Sequence, residues 1–427
     1  MALTGLLILS VVLIVVGFPL YASFLGGALT YFLMNGKIAL TMLPQRMVVS
    51  MDSFTFLAIP FFLLAGQIMN RGGITKRIFH FADTLVGRFR GGLGYVNIVA
   101  SFIFAGMSGS ALADIGGLGI VEMQAMKEAG YDDDFSMGVT AASSTIGPIV
   151  PPSLPFVQFA LFSNISLGSL FLAGFMPGVA MVITLSVMTY FYAVKNNYPK
   201  GKKYSFKEML KAFGSSFFAL LSPVLLISSI WGGFVTATEA AFLCIVYSLF
   251  VGVFIYRDIK LQDIKEIVVE SLRSITPILP IIMIACVFGF IFNYEGLNKK
   301  IAALLMGITE NKYVFLLIMN IFLLFIGMIL DSSASLVVLV PILAPIAAQY
   351  GVNLTHFGVI FCLNIMIGLL TPPVGTSLYL MSTVTHRTFK EVVHAISPWL
   401  IPLFVALFVC TYWEGFVLFI PRLLGMA

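Results

Sequence analysis

One uncommon pattern is written twice in this chain at a constant offset. Gly106, Gly130, Gly147 and Pro151-Pro152 recur as Gly327, Gly351, Gly368 and Pro372-Pro373, each 221 positions later. Hydrophobic residues fill 59% of the 427 positions and charged residues 10%, which excludes a water-soluble globular protein. The apolar runs reach about 20 residues, enough to cross a bilayer core as helix, and lack the alternation of barrel strands. The expectation is an all-α polytopic membrane protein. In such a chain, glycine- and proline-broken apolar segments at matching places in two halves point to the binding site of a secondary transporter.

Apolar stretches fall near residues 4–22, 25–43, 54–70, 92–107, 111–128, 135–161, 167–194, 213–234, 238–256, 276–294, 313–330, 334–350, 357–383 and 396–420. A shift of roughly 220 overlays the halves. The first repeat, 1–194, then holds scaffold spans 4–70, an arm and hairpin 74–130, and a broken span and last span 135–194. A polar linker, 195–212, with Asn196-Asn197, Pro199 and Gly201, leads to the second repeat, 213–427, with scaffold spans 213–294, arm and hairpin 297–350, and broken and last spans 357–420. Each hairpin pairs two short apolar helices about a polar apex, Ser108-Gly109-Ser110 or Asp331-Ser332-Ser333, and is read as re-entrant. Five crossings remain per half. Because five is odd, the two repeats have inverted topology. The positive-inside rule agrees: with residues 71–91 and the linker cytoplasmic, only Lys37, Arg46, Lys299, Lys300, Lys312 and Arg422 among the basic residues fall outside. Both termini are then periplasmic.

Unwound helix at membrane depth is tolerated only where protein or a wet cavity covers it. Gly147-Pro148-Ile149-Val150-Pro151-Pro152 and Gly368-Leu369-Leu370-Thr371-Pro372-Pro373 cannot stay regular helix, because each proline removes an amide donor and frees a carbonyl one turn back. Carbonyls of the breaks and oxygens of the apices suit a hard monovalent cation, and half-helix C-termini add negative dipole ends. One Na⁺ site per half is expected. The first would draw on Ser108, Ser110, Asp114, Ser144, Gly147, Val150 and Pro152; the second on Asp331, Ser332, Ser335, Gly368, Thr371, Pro373 and Thr376. Return helices starting near Ala111 and Ala334 would aim positive dipole ends at the same space, which favours an anionic substrate. Ser143, Ser153, Gln158, Asn364 and Ser377 are the candidates for orienting it by hydrogen bonds.

Blander readings stand beside these. Gly and Ser in membrane helices also serve close packing, and Asp114 or Asp331 could be an ordinary helix cap near a wet tip. Glu239, after Thr236-Ala237-Thr238, reads as dipole complementation in a first helical turn. His80, His356, His386 and His394 fall near loops or interfaces without metal spacing, and the four cysteines read as small buried hydrophobes. Neither H-E-x-x-H nor a phosphate loop occurs, and Gly106-Met107-Ser108-Gly109-Ser110 misses the nucleophile elbow at its last position. No enzymatic activity is expected.

Met107-Ser108-Gly109-Ser110-Ala111, Gly147 to Ser153, Asp331-Ser332-Ser333-Ala334 and Gly368 to Gly375, together with Ala58 to Gly66 and Thr236 to Ala241, resemble the large membrane subunit of tripartite ATP-independent periplasmic (TRAP) transporters almost end to end. The resemblance implies an elevator-type transporter in which a mobile domain of hairpins and broken helices slides against a scaffold, driven by sodium. It implies a periplasmic substrate-binding protein and a small four-helix membrane subunit, the latter expected as a separate chain. The host membrane would be the bacterial inner membrane. Family substrates are mostly carboxylates, and Ser110 to Asp114 with Ser143 to Pro148 look more like the sialic-acid and sugar-acid branches than the dicarboxylate branch. A self-sufficient sodium-coupled di- or tricarboxylate symporter and a passive anion channel remain the alternatives.

Overall fold

The computed structural model describes residues 2–426, except for the side chains of residues 106–108. The described residues are helical throughout, without a strand. Eight of their helices are long and apolar enough to cross a bilayer, among them Leu167–Lys195, Phe206–Trp231 and Lys312–Ile329. Shorter apolar helices such as Leu154–Ser163 and Leu354–Gly368 lie between them.

The two halves repeat one order of elements. Leu20–Asn35 corresponds to Ala237–Phe250, Met42–Met51 to Leu261–Ile275, and Ala58–Arg71 to Ile278–Tyr294. Further along, Ile74–Val86 matches Leu297–Ile308, Gly92–Ser108 matches Lys312–Ile329, Asp133–Ser144 matches Leu354–Gly368, and Leu154–Ser163 matches Thr376–Thr385. Polar side chains set many of these starts. Thr236 and Glu239 close a capping box on Ala237–Phe250, as Thr388 and Glu391 do on Phe389–Ile396. Glu239 is thus spent on its own helix terminus.

Three boundaries differ from the sequence reading. The stretch 25–43 is two elements, because Gly36 turns the chain at φ +63° after Asn35 and a second helix starts at Met42. The amphipathic helix Leu261–Ile275 precedes the apolar span at Ile278; its charged outer face hid it from a reading by hydropathy. The linker is shorter than 195–212, since a Ser205–Glu208 capping box starts Phe206–Trp231 inside that range. The rest of the linker is anchored. The Tyr198 hydroxyl donates to Asp132, the N-cap of Asp133–Ser144, and Tyr204 donates to Asp83 at 2.5 Å. Burial, with the neighbouring Asp83 carboxylate, pushes the Tyr204 phenol up to about 12, so this contact keeps its proton at physiological pH.

Packing sorts the helices into two sets. In one, Ala58–Arg71 lies against Ala237–Phe250 and Leu261–Ile275, while Ile278–Tyr294 lies against Leu20–Asn35 and Met42–Met51. In the other, Gly92–Ser108 packs on Asp133–Ser144, Lys312–Ile329 on Leu354–Gly368, and Leu167–Lys195 on Leu400–Tyr412. The second set is the more deeply buried: every residue of Leu354–Gly368 after Leu354 is buried. His356, expected near an interface, is among them, with its Nε2 2.7 Å from the Cys410 carbonyl. Both sets carry exposed apolar side chains, Phe242 in the first and Ile321 and Ile401 in the second, as lipid-facing surfaces should.

Candidate functional site

Both diproline segments break their helices. Asp133–Ser144 ends in turns that run to Pro152 before Leu154–Ser163 begins, and Leu354–Gly368 ends likewise before Thr376–Thr385. In both, the Pro-Pro peptide bond is cis. Ser153 restarts the first broken helix: its hydroxyl donates to the Pro148 carbonyl and accepts the Phe156 amide at 3.1 Å. The carbonyls of Val150, Pro151 and Pro152, and of Thr371, Pro372 and Pro373, receive no hydrogen bond among the described residues.

Each apex lies against the break of its own half. The Leu154 amide donates to the Gly109 carbonyl at 3.4 Å, and the Gly375 amide to the Met328 carbonyl at 3.1 Å. Behind the second pair, Gly327 and Gly368 touch backbone to backbone. A Cβ on Gly368 would sit 2.6 Å from the Gly327 Cα, so no larger residue fits. At the first break, a Cβ on Gly174 of the last span would sit 2.2 Å from the Ile149 carbonyl oxygen.

Beyond each break the halves exchange partners. Leu154–Ser163 of the first half packs along the second hairpin's return helix, Ser332–Gln349, and Thr376–Thr385 contacts the first hairpin's return segment around Ala111–Asp114. Gln158 Nε2 donates to Ser333 Oγ at 2.9 Å across this junction. The exchange encloses a cavity of about 700 Å³ whose wall includes Ser110, Pro148, Gln158, Asp331, Leu369 and Thr376. Its other side comes from the scaffold set, with Gln67 and Ser274 as polar members. A small organic molecule fits such a volume.

The expected site residues divide by position. Ser110, Asp331, Ser332, Gln158 and Thr376 stand on the cavity wall. Ser110 caps the return segment, accepting the Ala113 amide, and Asp331 accepts the Ser333 and Ala334 amides at 2.8 and 3.1 Å. Asp331 is therefore a helix cap and a cavity oxygen at once. Gly147, Val150, Pro152, Gly368, Thr371 and Pro373 lie in the breaks themselves, and Ser144 and Ser335 bond back to the carbonyls of Ala141 and Asp331. Thr376 Oγ1 and Ser377 Oγ are buried without a partner among the described residues. The Ser108 side chain lies outside the described residues.

Ser143, Ser153 and Asn364 are absent from the cavity wall. Ser143 donates to Asn97 at 2.6 Å, and Asn364 donates to Asn320 at 2.8 Å. Each ties its broken helix to the outbound helix of its hairpin. Asn97 also donates to Glu122 at 2.7 Å and to Thr140 at 2.8 Å. Asp114 is 2% exposed, and both its carboxylate oxygens lack a hydrogen-bond partner among the described residues. A π-helical turn over Ile115–Gly119 separates it from Glu122, which is 1% exposed with Oε1 unpartnered.

Gln67, Ser274, Asn97, Glu122 and Asn320 were not singled out from the sequence. Gln67 carries a faint signal as a polar residue in the apolar part of its helix, and Ser274 carries none on a helix rich in polar residues. Asn97 carries none beyond being the one amide in an apolar run.

Eight apolar spans, two tip-and-break pairs and a shared internal cavity define a polytopic helical membrane transporter. The family model for the "Tripartite ATP-independent periplasmic transporter, DctM component" matches residues 7–416. The chain is 43% identical over 411 residues to the sialic acid TRAP transporter large permease protein SiaM of Vibrio cholerae, covering 96% of each. It is 39% identical to the sialic acid TRAP transporter permease protein SiaT of Haemophilus influenzae, over 98% of this chain and 68% of that protein. It is 35% identical to the C4-dicarboxylate TRAP transporter large permease protein DctM of Pseudomonas aeruginosa, with 94% of each covered. The chain belongs to the DctM family and is a TRAP large permease subunit. These relatives are named as permeases, not enzymes. Among solved structures, the YdaH transporter of Alcanivorax borkumensis shares the fold, with a TM-score of 0.64 at 14% identity over 88% of this chain and 89% of that one.

Proposed function

We propose that this subunit takes up a small organic anion, a carboxylate of the sialic-acid or sugar-acid kind, by sodium-coupled secondary transport. The carrying observation is the cavity in which both hairpin tips, both broken helices and one wall of the scaffold meet. Each half would hold one Na⁺ between break carbonyls and tip oxygens, with Ser110 and Asp331 as the tip members. The return segments begin at Ala111 and Ser332, so amide-rich ends border the space an anion would occupy. Two Na⁺ entering with a monoanion carry one net charge, worth ~2.3 kcal/mol per 100 mV of membrane potential. No nucleotide is needed.

The helices carrying tips and breaks would form the moving domain of an elevator and the remaining spans its scaffold. Support for this division is the sorting of helices into two packed sets with the cavity at their boundary. The sialic-acid preference rests on the higher identity to SiaM and SiaT than to DctM. A periplasmic binding protein would deliver the anion, and a small four-helix membrane subunit, as a separate chain in the inner membrane, would brace the scaffold. The basic residues orient the protein with both termini in the periplasm.

The test is reconstitution with the small subunit in proteoliposomes. Uptake of a radiolabelled sugar acid should require an inward Na⁺ gradient and its binding protein. Na⁺-driven uptake without a binding protein would establish the self-sufficient symporter instead, and uptake indifferent to Na⁺ would establish a passive path.

A further inference from the structure

We propose that a basic pocket at the junction of arm, scaffold and first hairpin binds one anionic phospholipid. The pocket encloses about 670 Å³. Arg71, Lys76 and Arg77 enter it from the end of Ala58–Arg71 and the arm helix Ile74–Val86, Ser215 enters from Phe206–Trp231, and Gly117 and Val121 enter from the first hairpin's return segment.

Fixed contacts hold the two guanidinium groups. Arg77 bonds Asp258 at 2.6 Å and lies 3.9 Å over the Tyr256 ring, while Arg71 bonds Glu266 and Glu270 at 3.2 Å. Lys76, by contrast, is exposed and has no ion-pair partner among the described residues. Lys211, one helical turn before Ser215, is likewise exposed and unpaired among them. Thr75 donates to Asn70 Oδ1 at 3.1 Å, which leaves the Asn70 amide hydrogens for the pocket. One uncompensated ammonium group in the pocket, a second on the helix face that carries Ser215, and free N–H donors call for a phosphoryl oxygen.

Position favours a lipid over a soluble anion. Arg71 closes one membrane helix, and Asp258 follows the end of the span Ala237–Ile255, so the pocket lies at headgroup level. Its wall continues into Val121, 38% exposed, which adds an apolar surface beside the basic groups. Charge bias places this end at the cytoplasmic leaflet, whose anionic lipids attract basic juxtamembrane groups. A bound lipid would tie the hairpin's return segment to arm and scaffold, making hairpin freedom depend on lipid composition.

Native mass spectrometry of the delipidated full chain tests this, with phosphatidylglycerol, phosphatidylcholine and inorganic phosphate as probes. Phosphatidylglycerol should be retained in preference to phosphatidylcholine, and Lys76→Gln and Lys211→Gln should each weaken that retention about fivefold. Both side chains are exposed and unpaired, so neither change should affect folding. Lys300→Gln, on the opposite arm helix, should leave retention unchanged. Equal retention of the two lipids, unaltered binding in both lysine variants, or displacement of the lipid by phosphate would each overturn the proposal. Because the readout is bound mass, its outcome is independent of whether sodium drives transport.

Discussion

The two hairpin tips share one frame and exchange their chemistry. In the first, Ser110 caps the return segment and Asp114 follows one turn later; in the second, Asp331 caps and Ser335 follows at the equivalent place. The capping acid, Asp331, accepts two backbone amides, and Ser335 returns a hydrogen bond to its carbonyl at 2.9 Å. The acid at the later position, Asp114, has no such partner among the described residues. The diprolines diverge as well: Pro151 and Pro152 are buried, whereas Pro372 and Pro373 are exposed. The repeat therefore preserves geometry, broken helix against apex, while the oxygens offered differ between halves. If each half holds one Na⁺ as proposed, the two sites should differ in affinity.

Removing the capping acid should have the largest effect. Asp331→Ala takes away a cap and a cavity oxygen together and should weaken the Na⁺ dependence of uptake about 10- to 100-fold. Asp331→Ser, which installs the first half's residue, should recover the cap and part of the loss. Wild-type Na⁺ dependence in both variants would remove the second tip from the site. Next comes the glycine contact behind the second break, where Gly368→Ala should lower stability by about 2 kcal/mol in thermal unfolding. Gly174→Ala, at the first break, should behave alike if both breaks are held by close backbone approach.

Asn97→Ala should cost about 1.5 kcal/mol, because Glu122 and Ser143 each lose a buried partner. Asn320→Ala should cost less, since the neighbouring hairpin position in that half, Leu343, carries no carboxylate. The smallest effect belongs outside the tips. Thr236→Ala should lower stability by about 1 kcal/mol by opening a capping box, with Na⁺ dependence intact. Its counterpart helix, Leu20–Asn35, starts at Pro19 without a side-chain cap and offers no equivalent loss.

What could be read from the sequence was what the backbone itself cannot hide. Single prolines are tolerated inside helices here, as at Pro177, Pro223, Pro341 and Pro345, but the consecutive prolines 151–152 and 372–373, each a few residues after a glycine, remove adjacent amide donors, so the breaks and their pairing follow from spacing. The crossing of the halves did not, because an offset relates positions without saying that Leu154–Ser163 packs on the other half's hairpin. Gln67 and Ser274 escape a reading by sequence because nothing separates them from the other polar residues of their helices until the fold supplies the partner surface. Ser143 and Asn364, expected to orient the substrate, are 221 apart and instead bind their own hairpins away from the cavity wall. Glu122 went unmarked because a π turn brings its face into register with Asp114, and no residue pattern announces that turn.

The sharpest test is the Na⁺ concentration dependence of substrate uptake in proteoliposomes containing the chain, its small membrane subunit and the binding protein. If uptake requires both cations, the wild-type curve should be sigmoidal and should approach a hyperbola in Asp331→Ala, where the weakened second site alone limits uptake. A hyperbolic wild-type curve, or one unchanged by the substitution, would contradict the account.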